Sequence, residues 1–130
     1  MRKELDDLLC ERYPKIFAER HEPETLLSWG FAFGDGWFDL VDVLCRELQY
    51  RTSKGDPQVL ASQVKEKFGL LSFHWRGEIS KEQRAMISLA EGLAQRICEQ
   101  CGSPGQVLIQ GGIRATRCTD HALDGAVPVP

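Results

Sequence analysis

The spacing of apolar positions predicts two helices in the first half of the chain. The leucines of segment 2–10 recur three and four residues apart, which is typical of a short amphipathic helix. A stronger pattern begins at Trp37, where most of the large apolar side chains fall on one face of a helix. Asp35 or Gly36 is expected to be the N-cap of this helix. The turn-forming run 53–57 should end it near Thr52.

Between residues 59 and 76 the period changes from nearly four to two. Apolar and polar side chains alternate on both sides of Phe68-Gly69-Leu70, which predicts an antiparallel hairpin turning at those residues. Ser80, followed in the sequence by Glu82 and Gln83, has the pattern of a helix N-terminus. The helix that follows has one apolar stripe, made of Met86, Leu89, Ala90, Leu93 and Ile97.

The last third of the chain is short and rich in turns. Two β-prone runs flank Gly111-Gly112, which predicts a tight second hairpin. We therefore expect an α+β fold in which helices pack on a central antiparallel β-hairpin, with a small C-terminal zinc-ribbon-like module. The expected organisation is a body over 1–97, the module over 98–123 and a flexible tail over 124–130.

Composition and charge limit the class of protein to which this chain can belong. A chain of 130 residues with 42% hydrophobic content suits one compact domain. The net charge of −3 argues against a protein that mainly coats nucleic acid. The N-terminus turns acidic before any apolar stretch, and no stretch has the length of a membrane span, so we expect a cytoplasmic protein without a membrane partner.

Two ligand pairs dominate the candidate chemistry. Cys98 and Cys101 are separated by two residues, and after sixteen more residues Cys118 and His121 repeat that spacing. Four soft donors in two such pairs, joined by a hairpin, are typical of a tetrahedral Zn²⁺ site. With five cysteines, an odd number, a reducing compartment and a metal site explain the distribution better than disulfides do.

The predicted zinc ion is structural. A catalytic zinc keeps one coordination position for water, whereas these four side chains fill all four. Glu99 and Asp120 lie inside the ligand loops and are expected to be solvated or to support the ligands. A redox pair is disfavoured, because such pairs usually begin a helix and this one follows the end of one. Cys10 and Cys45 are interpreted as small core residues.

A surface on the central hairpin is the candidate partner-binding site. Lys65, Lys67, His74 and Arg76 are expected to share the face opposite Phe73 and Trp75. Acidic residues close by in sequence dilute the positive charge of these side chains. The aromatic cluster of Trp29, Phe31, Phe33 and Trp37 is interpreted as core.

Three motifs together resemble a family of small uncharacterised proteins of tailed bacteriophages and prophages. They are the segments 34–42 (GDGWFDLVD) and 63–73 (QVKEKFGLLSF), and the run 98–105 (CEQCGSPG) followed by 118–121 (CTDH). The resemblance covers most of the chain and implies a phage setting, in the host cytoplasm, without a mechanism. At Ile113 this chain lacks the aromatic residue that follows the double glycine in the family.

The phage setting favours a protein that acts by binding. Many small phage proteins without an enzyme motif bind a host macromolecule, and defence complexes of the CRISPR type are among the targets. We expect that the protein binds a host protein or ribonucleoprotein and thereby inhibits or modulates that partner. A zinc-dependent nucleic-acid-binding protein is the second hypothesis, and an enzyme is the third, because no nucleophile, base and orienting group occur together.

Overall fold

The computed structural model describes residues 1–22, 27 and 30–130 of the chain. It contains both helices and antiparallel sheets, so the predicted mixed α+β class is confirmed. The helices are α1 (Lys3–Arg12), α2 (Phe38–Ser53) and α3 (Lys81–Ala94). The strands are β1 (Leu60–Lys67), β2 (Leu70–Arg76), β3 (Gln106–Gln110), β4 (Ile113–Arg117) and β5 (Val127–Pro128).

Strands β1 and β2 form an antiparallel pair that is joined at Phe68 and Gly69. Because side chains alternate along a strand, Leu71 and Phe73 enter the core and are 3% and 2% exposed. Ala32 lies beside β1, donating its N–H to Val64 O and accepting from Glu66 N. This contact brings the chain just before α2 against the first sheet.

Helix α3 begins as its sequence predicts but faces the core differently. Ser80 Oγ accepts from Gln83 N, and the Gln83 side chain in turn accepts from Ser80 N, which completes a capping box. The buried face consists of Gln83, Ile87, Ala90 and Ala94. Leu89 and Leu93 of the predicted stripe are instead 65% and 43% exposed. The predicted stripe shares only Ala90 with this buried face and leaves out Gln83, Ile87 and Ala94.

Helices α2 and α3 run antiparallel to each other. The end of α2 meets the start of α3 where Gln83 Nε2 donates to Thr52 Oγ1 and to Pro57 O, at 3.4 and 2.8 Å. Gln83 is fully buried, so these bonds satisfy a side chain that would otherwise destabilise the core. The same junction holds Asp56, which accepts from Ser80 Oγ at 2.6 Å and pairs with Arg51 at 3.0 Å.

The second sheet has the strand order β4-β3-β5. The tight turn at Gly111-Gly112 occurs as predicted, and both glycines have positive φ. Within the tail that was predicted to be flexible, Val127 and Pro128 pair with β3. The two sheets touch where Thr116 Oγ1, on β4, donates to Gly69 O at 2.7 Å.

Candidate metal centre

The four predicted zinc ligands lie together because the antiparallel β3–β4 hairpin places the residues that follow β4 next to the residues that precede β3. Cys98 and Cys101 precede β3, and its first residue, Gln106, pairs with Arg117, the last residue of β4. Cys118 follows immediately, and a short 3₁₀ turn places His121 beside it, with His121 N donating to Cys118 O.

The first ligand pair lies in a knuckle of the chain with a defined hydrogen-bond pattern. Gly102 N donates to Cys98 O at 2.9 Å, and Cys98 N donates to Ser103 O at 2.7 Å. Gly102 has a φ of +81°, as expected for the residue after the second cysteine, because an L side chain resists that conformation.

The four candidate ligand atoms lie close enough together to hold one metal ion. Cys101 Sγ lies 3.6 Å from Cys118 Sγ, and His121 Nδ1 lies 3.8 Å from Cys98 Sγ and 3.2 Å from Cys118 Sγ. All four donor atoms lie within 4.8 Å of one another. Zn–S and Zn–N bonds of about 2.3 and 2.0 Å require donor atoms about 3.5 to 3.8 Å apart in a tetrahedron. The arrangement can therefore hold a metal ion.

The thiols of the cluster differ in acidity even without a metal. Hydrogen bonds from the side chain and backbone of Ser103 lower the pKa of Cys101 to about 6. Desolvation, together with the hydrogen bond to Cys101, raises the pKa of Cys118. The side chain of Cys98 is buried, and Cys101 and His121 are exposed. The centre is therefore anchored on its inner side and accessible from solvent on its outer side.

The knuckle is held against the body by the segment just before α2. Gly36 N donates to Glu99 O at 2.7 Å, and Trp37 Nε1 donates to Ile97 O at 2.8 Å. A Cβ at Gly36 would lie 2.1 Å from Cys98 O, closer than any real contact, so only glycine allows this approach. Two sequence motifs that lie about sixty residues apart are thus one structural unit.

Glu99, between the first two ligands, has a structural role in this unit. Its Oε2 accepts from Gly34 N at 2.9 Å, and its Oε1 pairs with Arg117 Nη1 at 3.1 Å. The residue is 9% exposed, and both carboxylate oxygens are engaged, which fits the supporting role and not that of a base. Asp120, the other candidate carboxylate, is exposed.

The four predicted partner-binding residues share one face of the β1–β2 pair but differ in their surroundings. His74 is exposed, and its Nε2 lies 2.9 Å from Ser72 Oγ. Arg76 pairs with Glu19 at 2.9 Å, which neutralises part of its charge. Lys67 Nζ lies 5.7 Å from the centroid of the Phe68 ring, and Lys65 is half-buried. Their role in binding stays a prediction.

Most of the predicted aromatic cluster belongs to the core. Phe31, Phe33 and Trp37 are buried, with ring centroids 5.9 and 6.2 Å apart along the series. Trp29 lies outside the described residues. The sequence pattern did not predict that Gly34 and Gly36 contact the knuckle that carries Cys98 and Cys101. The only available signal was that two glycines flank Asp35 directly before a tryptophan.

Comparisons with protein-family models, curated proteins and solved structures found no match to this chain. Within the described part of the chain, every helix is too short or too polar to cross a membrane.

Proposed function

We propose that the protein binds one Zn²⁺ through Cys98, Cys101, Cys118 and His121, and that this ion stabilises a zinc-ribbon-like module. The convergence of four donor atoms within 4.8 Å carries the proposal. Three thiolates and one imidazole form a closed set with no position left for water, which favours a structural ion over a catalytic one. Zinc is preferred to harder cations because sulfur dominates the donors.

We further propose that the protein acts by binding a host protein or ribonucleoprotein in the host cytoplasm, and by inhibiting or modulating it. The resemblance to small phage proteins supports this setting, with defence complexes of the CRISPR type as candidate targets. An exposed apolar groove between α2 and α3, of about 140 Å³, supports a protein component in the partner. Val43, Leu89 and Leu93 line it and are 45%, 65% and 43% exposed.

Elemental analysis tests the zinc proposal. Protein purified without added metal should contain about one zinc ion per chain, and Cys118→Ser should lose most of it, because three ligands bind far less tightly than four. Cys45→Ser is the matched control, since it removes a buried thiol outside the cluster and should leave the zinc content unchanged. Zinc-free parent protein, with three rapidly reacting thiols, would refute the site.

The binding proposal is tested in a host that carries CRISPR immunity. Expression of the protein should raise the plating efficiency of a phage that the immune system targets, and purified protein should capture a complex from nuclease-treated lysate. Leu89→Glu should abolish both effects if the groove between α2 and α3 carries the contact. Leu123→Glu, at an exposed leucine outside the groove, is the control. If expression of the zinc-loaded protein leaves the plating efficiency of the targeted phage unchanged, anti-CRISPR action is rejected, and the zinc proposal is not affected.

A further inference from the structure

Two arginines differ from the other eight in that their side chains have no partner among the described residues. Seven arginines lie 2.7 to 3.2 Å from a carboxylate oxygen: Arg2, Arg12, Arg20, Arg46, Arg51, Arg76 and Arg117. Arg84 lies over the ring of Trp75. Among the residues that the structure describes, only the guanidinium groups of Arg96 and Arg114 contact neither an acid nor a ring.

These two arginines line the same cleft. It has a volume of about 590 Å³ and lies between the end of α3, the first residue of β2 and the second sheet. Leu70, Val107 and Pro128 give it an apolar portion, and none of the described side chains that line it is acidic. Two guanidinium groups thus bring two positive charges into one cleft of a chain whose net charge is −3, which favours an anionic ligand there.

Beside this cleft, the β1–β2 turn contains an aromatic residue whose backbone conformation is unfavourable for any residue with a side chain. Phe68 has a φ of +54°, and Gly69 has a φ of +83°, the pattern of a type I′ turn, which favours Asn or Gly at the first position. The left-handed conformation costs a residue with a side chain about 1–2 kcal/mol. Phe68 is 71% exposed, so burial in the core does not offset that cost. Strain of this kind concentrates at binding sites.

The turn is fixed next to Arg114. Gly69 N donates to Glu66 Oε2 at 2.6 Å, and Gly69 O accepts from Thr116 Oγ1. A Cβ at Gly69 would lie 3.1 Å from the carbonyl carbon of Arg114, so the backbones are in close contact. Phe68 is therefore presented from a rigid support close to the cleft, with the Lys67 ammonium group over its ring.

We propose that the β1–β2 turn and this cleft bind single-stranded nucleic acid. Arg96 and Arg114 contact backbone phosphates, because a planar guanidinium group binds phosphate oxygens in a bidentate manner. Phe68 stacks on a base, with Lys67 adding positive charge beside it. Base stacking on an exposed ring requires an unpaired base, which favours a single strand over a duplex. An acidic peptide would use the arginines but would leave the strained Phe68 unexplained.

This site goes beyond the proposed function and is compatible with it. In a ribonucleoprotein partner, the RNA would supply the strand, while the groove between α2 and α3 contacts protein. The inference depends on zinc only because the module supplies Arg114 and one wall of the cleft. Zinc content and nucleic-acid binding are measured separately, so each proposal can fail alone.

Fluorescence anisotropy with labelled oligo(dT) and oligo(U) tests the site, using zinc-loaded protein over a series of salt concentrations. The parent protein should bind at low salt. Arg96→Gln and Arg114→Gln should each weaken binding and lower the slope of log K against log salt by about 0.7, the value for one lost phosphate contact on a single strand. Arg2→Gln removes the same charge from an exposed, carboxylate-paired arginine and should change neither quantity by a comparable amount.

Phe68→Gly separates binding from folding. It should weaken binding by roughly fivefold or more, the effect of losing one stacked base. It should also raise the melting temperature, because glycine adopts positive φ without strain. A structural role for the ring would instead lower the melting temperature.

Three results would overturn the inference. The first is that the parent protein shows no oligonucleotide binding at low salt while retaining its zinc. The Arg96→Gln/Arg114→Gln double variant could bind as the parent does, with unchanged zinc content and melting temperature. Alternatively, poly-glutamate could compete as well as oligonucleotide does, with no effect of Phe68→Gly, which would assign the cleft to an acidic peptide.

Discussion

Gly36 lies so close to the first ligand pair that its lack of a side chain determines how the metal centre meets the body. An added Cβ would lie 2.1 Å from Cys98 O and 2.6 Å from Gly102 N, both of them rigid backbone atoms. The contact explains why glycine occurs there, although its φ is not one that requires glycine. The motif was visible in the sequence, but the atoms it meets lie more than sixty positions away and could not be inferred from local pattern.

Gly36→Ala should therefore destabilise the protein by about 3 kcal/mol or more, in the range of severe backbone clashes. Gly92→Ala is the matched control, because a Cβ at Gly92 meets nothing within 4 Å. Within α3 that exchange should stabilise by about 0.5–1 kcal/mol through higher helix propensity. Chemical denaturation of both variants at saturating zinc measures the difference. Equal stabilities would show that the knuckle can move away from the body at little cost.

The five thiols should separate into two classes by reactivity. Burial raises the pKa of Cys45 well above its ordinary value and also raises that of Cys10, so neither forms thiolate readily. In zinc-loaded protein we expect little reaction with a thiol reagent. A strong chelator should then expose the three thiols of the cluster, with Cys101 reacting first because its pKa is lowered, and the remaining two should react only in denaturant. Rapid reaction of all five in native zinc-loaded protein would contradict this assignment.

At the scale of the elements, sequence patterns predict the positions of most helices and strands correctly. They predict the buried faces of some of these elements less accurately. The capping box at Ser80 is local chemistry, and it places the start of α3 correctly. Asp35, by contrast, does not cap α2. It accepts hydrogen bonds from Arg2 N and Arg2 Nε, and its pKa is lowered by these contacts. A carboxylate that can cap its own helix can also bind a distant partner, and sequence does not indicate which one prevails.

Phe68 illustrates the same limit within the first hairpin. Strict alternation from Val64 would place its ring with the core face, but the turn takes Phe68 and Gly69 out of the strand. The position of the turn was predicted. Whether the Phe68 side chain faces the core or the solvent, however, depends on which turn residues have positive φ. The turn conformation therefore leaves the Phe68 ring 71% exposed, which makes it a candidate contact residue.

The junction of α2 and α3 should contribute stability that depends on pH. The hydrogen bond from Ser80, together with Arg51, holds the pKa of Asp56 below its ordinary value of 3.8. A lowered folded-state pKa stabilises the folded form above the unfolded value, and this contribution disappears as pH falls through the folded value. Asp56→Asn should therefore lower the melting temperature at pH 7, and the difference from the parent should shrink below about pH 4.

Thermal melts of the parent and of Asp56→Asn across that range provide the measurement. Asp124→Asn, at an exposed position in the tail, should show no such trend. A difference between Asp56→Asn and the parent that stays constant into the acid range would mean that the charge of Asp56 does not stabilise the junction.

At the scale of the whole molecule, the metal module and the body share contacts. The sequence predicts a boundary after residue 97, between the body and the module over 98–123. In the structure, Glu99 bonds to Gly34 and Gly36, Trp37 bonds to Ile97, and Thr116 bonds to Gly69. Such contacts link the metal ligands to the body at two separate places. Ligand spacing identified the four donors, whereas the supporting contacts come from tertiary structure that the ligand motif does not encode.

Removal of zinc should consequently affect the body as well. Chelation should increase hydrogen exchange at the amides of Gly34 and Gly36, because Glu99, which accepts both bonds, is displaced with the knuckle. Amides in the middle of α2, such as that of Cys45, provide the internal reference. If exchange increased only within residues 98–123, the module would be independent of the body, as the sequence boundary suggested.

The bond between Trp37 and Ile97 also sets an order of events during synthesis. Trp37 is synthesised before α2, but the carbonyl that accepts the hydrogen bond of its indole belongs to a residue made sixty positions later. Cys118 and His121 follow after a further delay. A nascent chain can therefore form its early helices and first hairpin before the knuckle exists, and the contacts between the knuckle and the segment before α2 form only after residues 98–121 have been made.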